Sequence, residues 1–303
     1  MVALTRVMTD HTTRGPRAEL LPDALKQAWR DVENGRLGLG AFQSQQERGL
    51  DAYARLWRDA LMQDGATDLA GSLAAELGQF VGISDRQEVE RRMRRGVDLV
   101  ADEWRGGHVD AQDRSAVEQY YDKSTGYLYD LMRWHTLEDD LSPLGYVTAL
   151  AFAERHGCRD HLDFGSGVGS GSLLFARHGF ETTLADISGT MLAFARWRFE
   201  QRRVAATFID LKTHPLPEIA YDLITAMDVF EHLHDPADTI DVLWRALRPG
   251  GYLFGRFHAE PDETHPQHIV FDFGPTFDRL RQRGFEEAWR DEWLWGHQLF
   301  RRA

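Results

Sequence analysis

His161-Leu162-Asp163-Phe164-Gly165-Ser166-Gly167-Val168-Gly169-Ser170-Gly171 is the stretch that decides the fold of this chain. An apolar run ends in an acid, four glycines follow at alternate positions, and a helix-like run begins at Ser172. Because glycine lacks a Cβ atom, the turn can be sharp and a ligand can lie directly against its backbone. The helix start beyond it offers unpaired N–H groups. The stretch therefore predicts a strand, a tight binding turn and a helix.

The spacing of the glycines distinguishes this turn from two common nucleotide sites. A dinucleotide-binding turn needs G-x-G-x-x-G/A, but the three glycine pairs put Ser170, Ser172 and Leu174 at the third position. No lysine lies near the loop, so the pattern G-x-x-x-x-G-K-[ST] is absent as well. Asp186 closes the next apolar run, where an acid can hydrogen-bond a ribose diol.

The pattern Asp163-x-Gly165-x-Gly167-x-Gly169 resembles the first motif of class I S-adenosylmethionine-dependent methyltransferases of the small-molecule type. Later segments resemble the family's next motifs in the same order: Asp186, then residues 208–211, 221–232 and 247–253. With a lid-like segment before them, these motifs cover roughly residues 115–303. The resemblance implies an α/β fold with a Rossmann-like, mostly parallel sheet and one antiparallel strand near the C-terminus. It also implies S-adenosylmethionine as methyl donor and S-adenosylhomocysteine as product.

By this resemblance, the residues that hold the donor are Asp163, Gly165, Gly167, Gly169, Asp186, Ile187, Asp210, Leu211, Asp228 and Val229. The glycines would let the backbone approach the methionine part of the donor, and Asp163 would order the loop or receive the ammonium group. Asp186 would bond the ribose hydroxyls, with a helix N-cap as its alternative role. Asp210 and its neighbour would meet the adenine, although an acid also suits a turn at a strand end. Asp228 and Val229 would line the pocket below the sulfonium.

Methyl transfer from a sulfonium is a direct displacement, so positioning and exclusion of water supply much of the rate. An acid–base residue is needed only when the acceptor arrives protonated. Histidines cluster after two predicted strands: His232, His234, His258, His265 and His268. Ligands of open parallel sheets bind at that edge, so we expect His258 or His268 to act as a general base. A metal held by His258, His265 and His268 is the alternative, but their spacing matches no standard site and we predict no metal.

An aromatic segment, residues 118–129, precedes the motifs. It resembles the N-terminal lid of small-molecule methyltransferases, in which a tyrosine reaches the donor carboxylate or faces the acceptor. Tyr121 is the catalytic candidate in this segment, with Tyr120 and Tyr127 behind it. Packing of an aromatic helix into a core would produce the same sequence, so both interpretations stay open.

Bulk composition restricts the class of protein. The formal net charge is −13, whereas nucleic-acid binding depends on a basic face. The basic run from Arg91 to Arg95 is expected to be a solvated helix face, so we predict no nucleic-acid partner. No apolar run reaches the ~18 residues of a membrane helix, and the N-terminus does not resemble a signal peptide. With Cys158 as the single cysteine, these features predict a cytoplasmic protein without a disulfide or membrane contact.

The chain divides into four predicted parts. Residues 1–20 are expected to be flexible, residues 21–110 to form a helical cap, residues 111–141 to form lid or linker helices, and residues 142–303 to form the donor-binding domain. Apolar residues at helical spacing predict four helices in the cap. In the last part strand-like and helix-like runs alternate, which predicts a parallel sheet with helices on both faces.

The predicted function is transfer of a methyl group from S-adenosylmethionine to an oxygen, nitrogen or sulfur atom of a small metabolite. The helical cap would cover the acceptor site or form the interface of a homodimer. Three other interpretations stay open. One is a methyltransferase whose cap docks a peptide or protein. Another is a binding or regulatory protein that keeps the donor site without turnover, and the third is a donor-binding protein with metal-assisted chemistry other than methyl transfer.

Overall fold

The computed structural model describes residues 19–257 and 263–303 of the 303-residue chain. The flexible terminus was predicted at residues 1–20, and of these only residues 19 and 20 are described. The candidate base His258 also lies outside the described residues. Within the described ranges, no helix combines the length and the apolar character that crossing a membrane requires.

Helices and strands alternate in the described residues after a run of helices. The helices are α1 (Leu21–Glu33), α2 (Leu39–Leu61), α3 (Leu69–Val81), α4 (Arg86–Met93), α5 (Gly96–Gly106), α6 (Arg114–Lys123), α7 (Gly126–Trp134), α8 (Gly145–His156), α9 (Ser170–Arg177), α10 (Gly189–Arg202), α11 (Pro236–Ala246) and α12 (Gly274–Gln282). The strands are β1 (Asp160–Phe164), β2 (Glu181–Asp186), β3 (Thr207–Asp210), β4 (Tyr221–Ala226), β5 (Leu247–Gly255), β6 (Phe285–Arg290) and β7 (Gln298–Arg302).

The strands form one sheet in the order β3-β2-β1-β4-β5-β7-β6. Strand β7 pairs antiparallel with β5 and β6, and the other pairings are parallel. The predicted Rossmann-like α/β fold with one antiparallel strand near the C-terminus is confirmed. The strand order reverses between β1 and β4, and ligands of such sheets bind at that point, outside the carboxyl ends of the strands.

The sequence predicts a turn from residue 247 into a strand that begins at residue 250, whereas strand β5 begins at Leu247. Leu247 pairs with Tyr221, and a register shift precedes the pairing of Tyr252 with Leu223. Proline has no N–H to donate to a neighbouring strand, and the Pro-Gly-Gly sequence between the two pairings therefore interrupts the ladder. The residues that predicted a turn before the strand form an irregularity inside it.

Five helices, α1 to α5, occupy the segment for which the sequence predicted four. The apolar period from Val89 to Trp104 runs through the break, but α4 ends at Met93 and α5 begins at Gly96. A Cβ atom at Gly96 would collide with the backbone of Asp130 in α7. The chain is therefore divided where α5 and α7 approach so closely that only glycine fits.

Two buried clusters flank the sheet. One joins Trp57 and Leu73 of the helical region, defined as α1 to α7, to Leu173 and Phe194 on α9 and α10. The other contains Ile224 and further residues from the opposite face. Because the first cluster is continuous, the helical region packs directly onto one side of the α/β unit.

Candidate functional site

A cavity of about 540 Å³ lies at the point where the strand order reverses. Residues that follow β1, β2 and β4 form part of its wall, and residues of α5, α6 and α7 form another part. The predicted site residues that line it are Tyr121, Gly165, Gly167, Asp186, Ile187, Leu211, Asp228, Val229 and His268. The predicted residues Asp163, Gly169 and Asp210 are not part of this lining.

The glycine loop, which joins β1 to α9, has a backbone that only glycine adopts without strain. Gly165, Gly167 and Gly169 have φ angles of +69°, +51° and +75°. A Cβ atom at Gly165 would lie 2.6 Å from a methyl group of Val229, and one at Gly167 would lie 2.8 Å from a methyl group of Leu131. A side chain at either position would therefore collide with these neighbours, and only glycine lets the loop lie this close to them.

Asp186 stands at the end of β2 and holds the glycine loop. Its two carboxylate oxygens accept hydrogen bonds at 2.8 Å from the N–H groups of Gly167 and Ser188. Burial raises the pKa of Asp186, and the backbone hydrogen bonds oppose that rise. The helix cap considered from the sequence belongs to Ser188, whose hydroxyl accepts from the N–H of Met191. Asp186 lines the cavity and keeps acceptor capacity for a ribose diol.

Asp163 lies behind the glycine loop, not in the cavity. It is completely buried, and its carboxylate accepts hydrogen bonds from the hydroxyls of Ser172 at 2.6 Å, Thr225 at 2.9 Å and Tyr146 at 3.1 Å. Burial raises its pKa to about 6. Of the two roles that the sequence allowed, these contacts favour ordering of the loop over contact with an ammonium group.

Asp210 and Leu211, the two adjacent candidates at the end of β3, have different surroundings. Leu211 lines the cavity beside Ile187, and its N–H donates to the carbonyl of Asp186 at 3.0 Å. The carboxylate of Asp210 accepts from the N–H of Lys212 at 2.9 Å. This local bond is the turn role that the sequence left open for Asp210.

Asp228 follows β4 in a left-handed conformation with a φ of +51°, which is strained for a residue other than glycine. Its carboxylate forms an ion pair with Nε of Arg256 at 2.9 Å. Burial raises the pKa of Asp228, and the charge of Arg256 opposes that rise. Residues held in such conformations cluster at binding sites, and Asp228 and Val229 both line the cavity.

The lining of the cavity contains two chemically different groups of residues, which are called the loop end and the histidine end. The loop end is lined by Gly165, Gly167, Asp186 and Asp228, and the histidine end by Tyr121, Asp130, Glu231, His232 and His268. Together they place donors and acceptors of hydrogen bonds around a space that the helical region encloses.

Tyr121 is positioned by the docking of α6 on α10. The carboxylate of Asp122 accepts from the N–H of Gly189 at 2.8 Å. The Tyr121 hydroxyl lies 2.9 Å from Nδ1 of His232. Burial and the ring of His268 lower the pKa of His232 to about 3, so its imidazole is neutral. Burial raises the pKa of Tyr121 well above its ordinary value, so its hydroxyl keeps its proton.

In the aromatic segment, residues 118–129, one tyrosine packs in the core and two others line the cavity, so the core and lid interpretations each hold for part of it. Tyr120 is buried, and its hydroxyl donates to the carbonyl of Val100 at 3.0 Å. Tyr121 instead lines the cavity, as does Tyr127, whose hydroxyl donates to that of Tyr121 at 3.4 Å.

Glu231 is a cavity carboxyl that the sequence analysis did not select. It is 2% exposed, and Oε2 has no hydrogen-bond partner among the residues that the structure describes. Burial and the charge of Asp228 raise its pKa to about 8. The Glu-His pair after β4 was the available signal, but the enclosure of this carboxyl is a property of the folded chain.

A group of possible metal ligands lies at the histidine end. The rings of His232 and His268 are 4.8 Å apart, and His265 stacks on His268 at 5.0 Å. One ligand atom from each of Glu231, His232 and His268 lies within 4.8 Å of the others. Nitrogen and oxygen donors of this kind can hold a divalent cation. This set differs from the three histidines considered in the sequence.

Other cavity residues come from segments without a recognisable motif. They include Arg94 after α4, Asp130 and Trp134 on α7, Tyr146 on α8 and Arg256 after β5. Burial raises the pKa of Asp130 to about 6. For those that lie on helices, the sequence signal was helical periodicity, which indicates burial but does not separate a cavity wall from a core.

Residues 162–255 match a family model described as a methyltransferase domain. The ubiquinone biosynthesis O-methyltransferase of Sodalis glossinidius is 31% identical over 131 residues, which cover 40% of this chain and 53% of that protein. The protein of the same name from Pseudomonas aeruginosa is 30% identical over 130 residues, with coverages of 40% and 56%. The chain thus spans about half the length of these curated relatives. A SAM-dependent methyltransferase from Leishmania major has a TM-score of 0.49 and 18% identity, over 67% of this chain and 90% of that one.

Proposed function

We propose that this chain, which carries a class I S-adenosylmethionine-dependent methyltransferase domain, transfers a methyl group from S-adenosylmethionine to a small-molecule acceptor. The match of residues 162–255 to a methyltransferase domain supports the family resemblance of the glycine motif, and S-adenosylmethionine is the donor that this resemblance implies. The observation that carries the proposed reaction is a single cavity with a loop end suited to the donor and a histidine end suited to an acceptor.

The loop end fits the donor in shape and charge. When bound, S-adenosylmethionine supplies a methyl group on a positively charged sulfur. Gly165 and Gly167 line the cavity without side chains, so a ligand can lie against their backbone, and Asp186 has acceptor capacity for ribose hydroxyls. Ile187 and Leu211 give apolar contacts for the adenine, and the carboxylate of Asp228 favours a nearby cation.

The histidine end provides groups that orient an acceptor and remove its proton. His268 is the candidate base, because it lines the cavity and an imidazole nitrogen can take a proton from an acceptor. The protonated hydroxyl of Tyr121 can donate to the acceptor, and His232 holds that hydroxyl from 2.9 Å. Glu231, whose pKa is raised to about 8, is a second proton acceptor that becomes charged as the pH rises. His258 stays a candidate base in the proposal.

The acceptor we propose is a metabolite with an oxygen, nitrogen or sulfur nucleophile. A cavity of about 540 Å³ is in the range that binds small molecules. Its walls include Trp134, Tyr127 and Tyr146, whose rings exclude water and so favour a displacement reaction. A peptide side chain entering the same cavity is the alternative acceptor.

Metal-assisted chemistry is the second candidate, favoured by the short distances among the ligand atoms of Glu231, His232 and His268. Metal analysis of the purified protein tests it. A stoichiometric metal whose removal by a chelator lowers the thermal midpoint would support this candidate. Absence of metal, with no stabilisation by added zinc or manganese, would support methyl transfer without a metal.

Calorimetric titration with S-adenosylmethionine and S-adenosylhomocysteine tests the donor site. We expect Asp186→Ala to weaken binding by at least about tenfold, or about 1.4 kcal/mol. Asp210→Ala is the matched control, since Asp210 is an acid on the adjacent strand outside the cavity lining, and it should change binding by less than about threefold. Absence of binding to the wild type, or equal losses in the two variants, would contradict the assignment.

A further inference from the structure

A buried ion cluster joins the helical region to α10. Glu76 of α3 is completely buried and faces Arg198 and Arg202. Oε2 of Glu76 accepts from Nε of Arg198 at 3.0 Å, and Oε1 accepts from Nε of Arg202 at 2.7 Å. Burial alone would raise the pKa of Glu76, but the two guanidinium groups hold it below its ordinary value. The carboxylate is therefore ionised and shared by both arginines.

The two arginines differ in their remaining contacts. Nη1 of Arg198 donates to the carbonyl of Val168 at 2.6 Å and to the hydroxyl of Ser170 at 3.1 Å. Nη2 of Arg202 donates to the carbonyl of Leu61, at the end of α2, at 2.6 Å. Arg198 thus reaches the glycine loop, whereas Arg202 connects α10 to another helix.

With the contact of Arg198, both polar groups of one peptide in the glycine loop are hydrogen-bonded. The carbonyl of Val168 is bonded by Arg198, and the N–H of the same peptide, at Gly169, donates to the carbonyl of Ser166 at 2.9 Å. Glycine backbone has more conformational freedom than other residues, and ordering it costs more entropy. A hydrogen bond from a buried charged group is a strong way to restrict that freedom.

We infer that Arg198 is a positioning residue for donor binding, held by Glu76 and acting on the glycine loop through the carbonyl of Val168. The helical region thereby contributes to donor affinity through α3, in addition to enclosing the cavity. The inference rests on the proposed donor site at this loop. Without the Arg198 contact the loop samples more conformations, so binding must order it and the affinity falls.

Arg198→Met and Arg202→Met are matched variants, because each leaves Glu76 paired with one guanidinium group. Calorimetric titration with S-adenosylhomocysteine should show a Kd at least about tenfold higher for Arg198→Met. Arg202→Met should stay within about threefold of the wild type, although both variants lose thermal stability. Hydrogen exchange without ligand should be faster at the Gly167 and Gly169 amides in Arg198→Met alone.

Equal losses of affinity and equal loop exchange in the two variants would overturn the inference, because a purely structural cluster would affect both alike. If Arg198→Met does not fold, Glu76→Gln replaces it, since this change keeps both arginines and removes the charge that holds them. Faster exchange at the loop and weaker binding in Glu76→Gln would support the inference, and unchanged values would overturn it. Absence of binding to the wild type would refute the donor site, while the exchange comparison would still decide whether Arg198 orders the loop.

Discussion

The two ends of the cavity are formed by different parts of the chain: one mainly by backbone, the other by side chains. The loop end depends on backbone conformation, with positive φ angles at Gly165 and Gly167 and a carboxylate at Asp186 that bonds the loop. The histidine end depends on side chains from distant segments. The hydroxyl of Tyr121 lies 2.9 Å from Nδ1 of His232, although the two residues are 111 positions apart in the chain. Substitutions at the loop end should therefore change donor affinity through geometry. Those at the histidine end should change protonation and acceptor chemistry and leave the donor bound.

The largest effect should come from adding a side chain to the loop end. Gly165→Ala places a Cβ atom 2.6 Å from Val229 at a φ of +69°, and calorimetry should show S-adenosylhomocysteine binding at least about hundredfold weaker. Gly179→Ala is the matched control, since Gly179 has a φ of +83° with nothing within 4 Å of the added atom. It should share the cost of backbone strain and keep donor affinity. Normal binding by Gly165→Ala would show that the loop does not hold the donor.

The next effect is a pH dependence of stability at the histidine end. The pKa of Glu231 is raised from 4.5 to about 8. Between these pH values the folded protein binds more protons at this group than the unfolded chain, so stability falls as the pH rises. Glu231→Gln should remove this loss and flatten the dependence of stability on pH across this range, measured by denaturant unfolding at several pH values. Glu286 is exposed, so the control Glu286→Gln should keep the wild-type slope of unfolding free energy against pH. The same slope in Glu231→Gln would contradict the enclosure of the Glu231 carboxyl.

The smallest of these effects should come from the hydroxyl of Tyr121. Tyr121→Phe removes the contact with His232, and we expect methyl transfer to slow by about tenfold, or about 1.4 kcal/mol. Binding of S-adenosylhomocysteine should change by less than about twofold. Tyr120→Phe loses a buried hydroxyl that donates to the carbonyl of Val100 outside the cavity lining, so it should lower stability without slowing the reaction. Equal rates for the two variants would place Tyr121 in a structural role only.

The contrast between the two ends also explains what the sequence could predict about the fold. Apolar runs and turn glycines mark both ends of two strands locally, so the sequence predicts them at residues 160–164 and 181–186, which are the bounds of β1 and β2. The break between α4 and α5 depends on the contact of Gly96 with Asp130. The early start of β5 depends on the pairing of Leu247 with Tyr221. In both contacts the two residues are far apart in sequence, so the local sequence pattern could not predict the helix break or the start of the strand.

The sequence predicted most of the loop end, and at the histidine end it predicted Tyr121 and His268. The glycine spacing pointed to residues that line the loop end, but Asp163 and Asp210 belong to the same motifs and bond protein groups instead. Which way an acid faces is decided by the packing of neighbouring elements. Glu231 and Asp130 are functional candidates because burial raises their pKa values, and burial of single acids has no local signature in sequence.

The most direct test of a donor end facing an acceptor end is a transfer experiment with S-adenosylmethionine labelled in its methyl group. Wild type, Asp186→Ala and Asp210→Ala would be incubated with a protein-free metabolite pool and, separately, with a protein pool. We expect label to appear in low-mass compounds with the wild type and Asp210→Ala, and to be strongly reduced with Asp186→Ala. Label found only in protein, or the same low-mass labelling with all three chains, would contradict it.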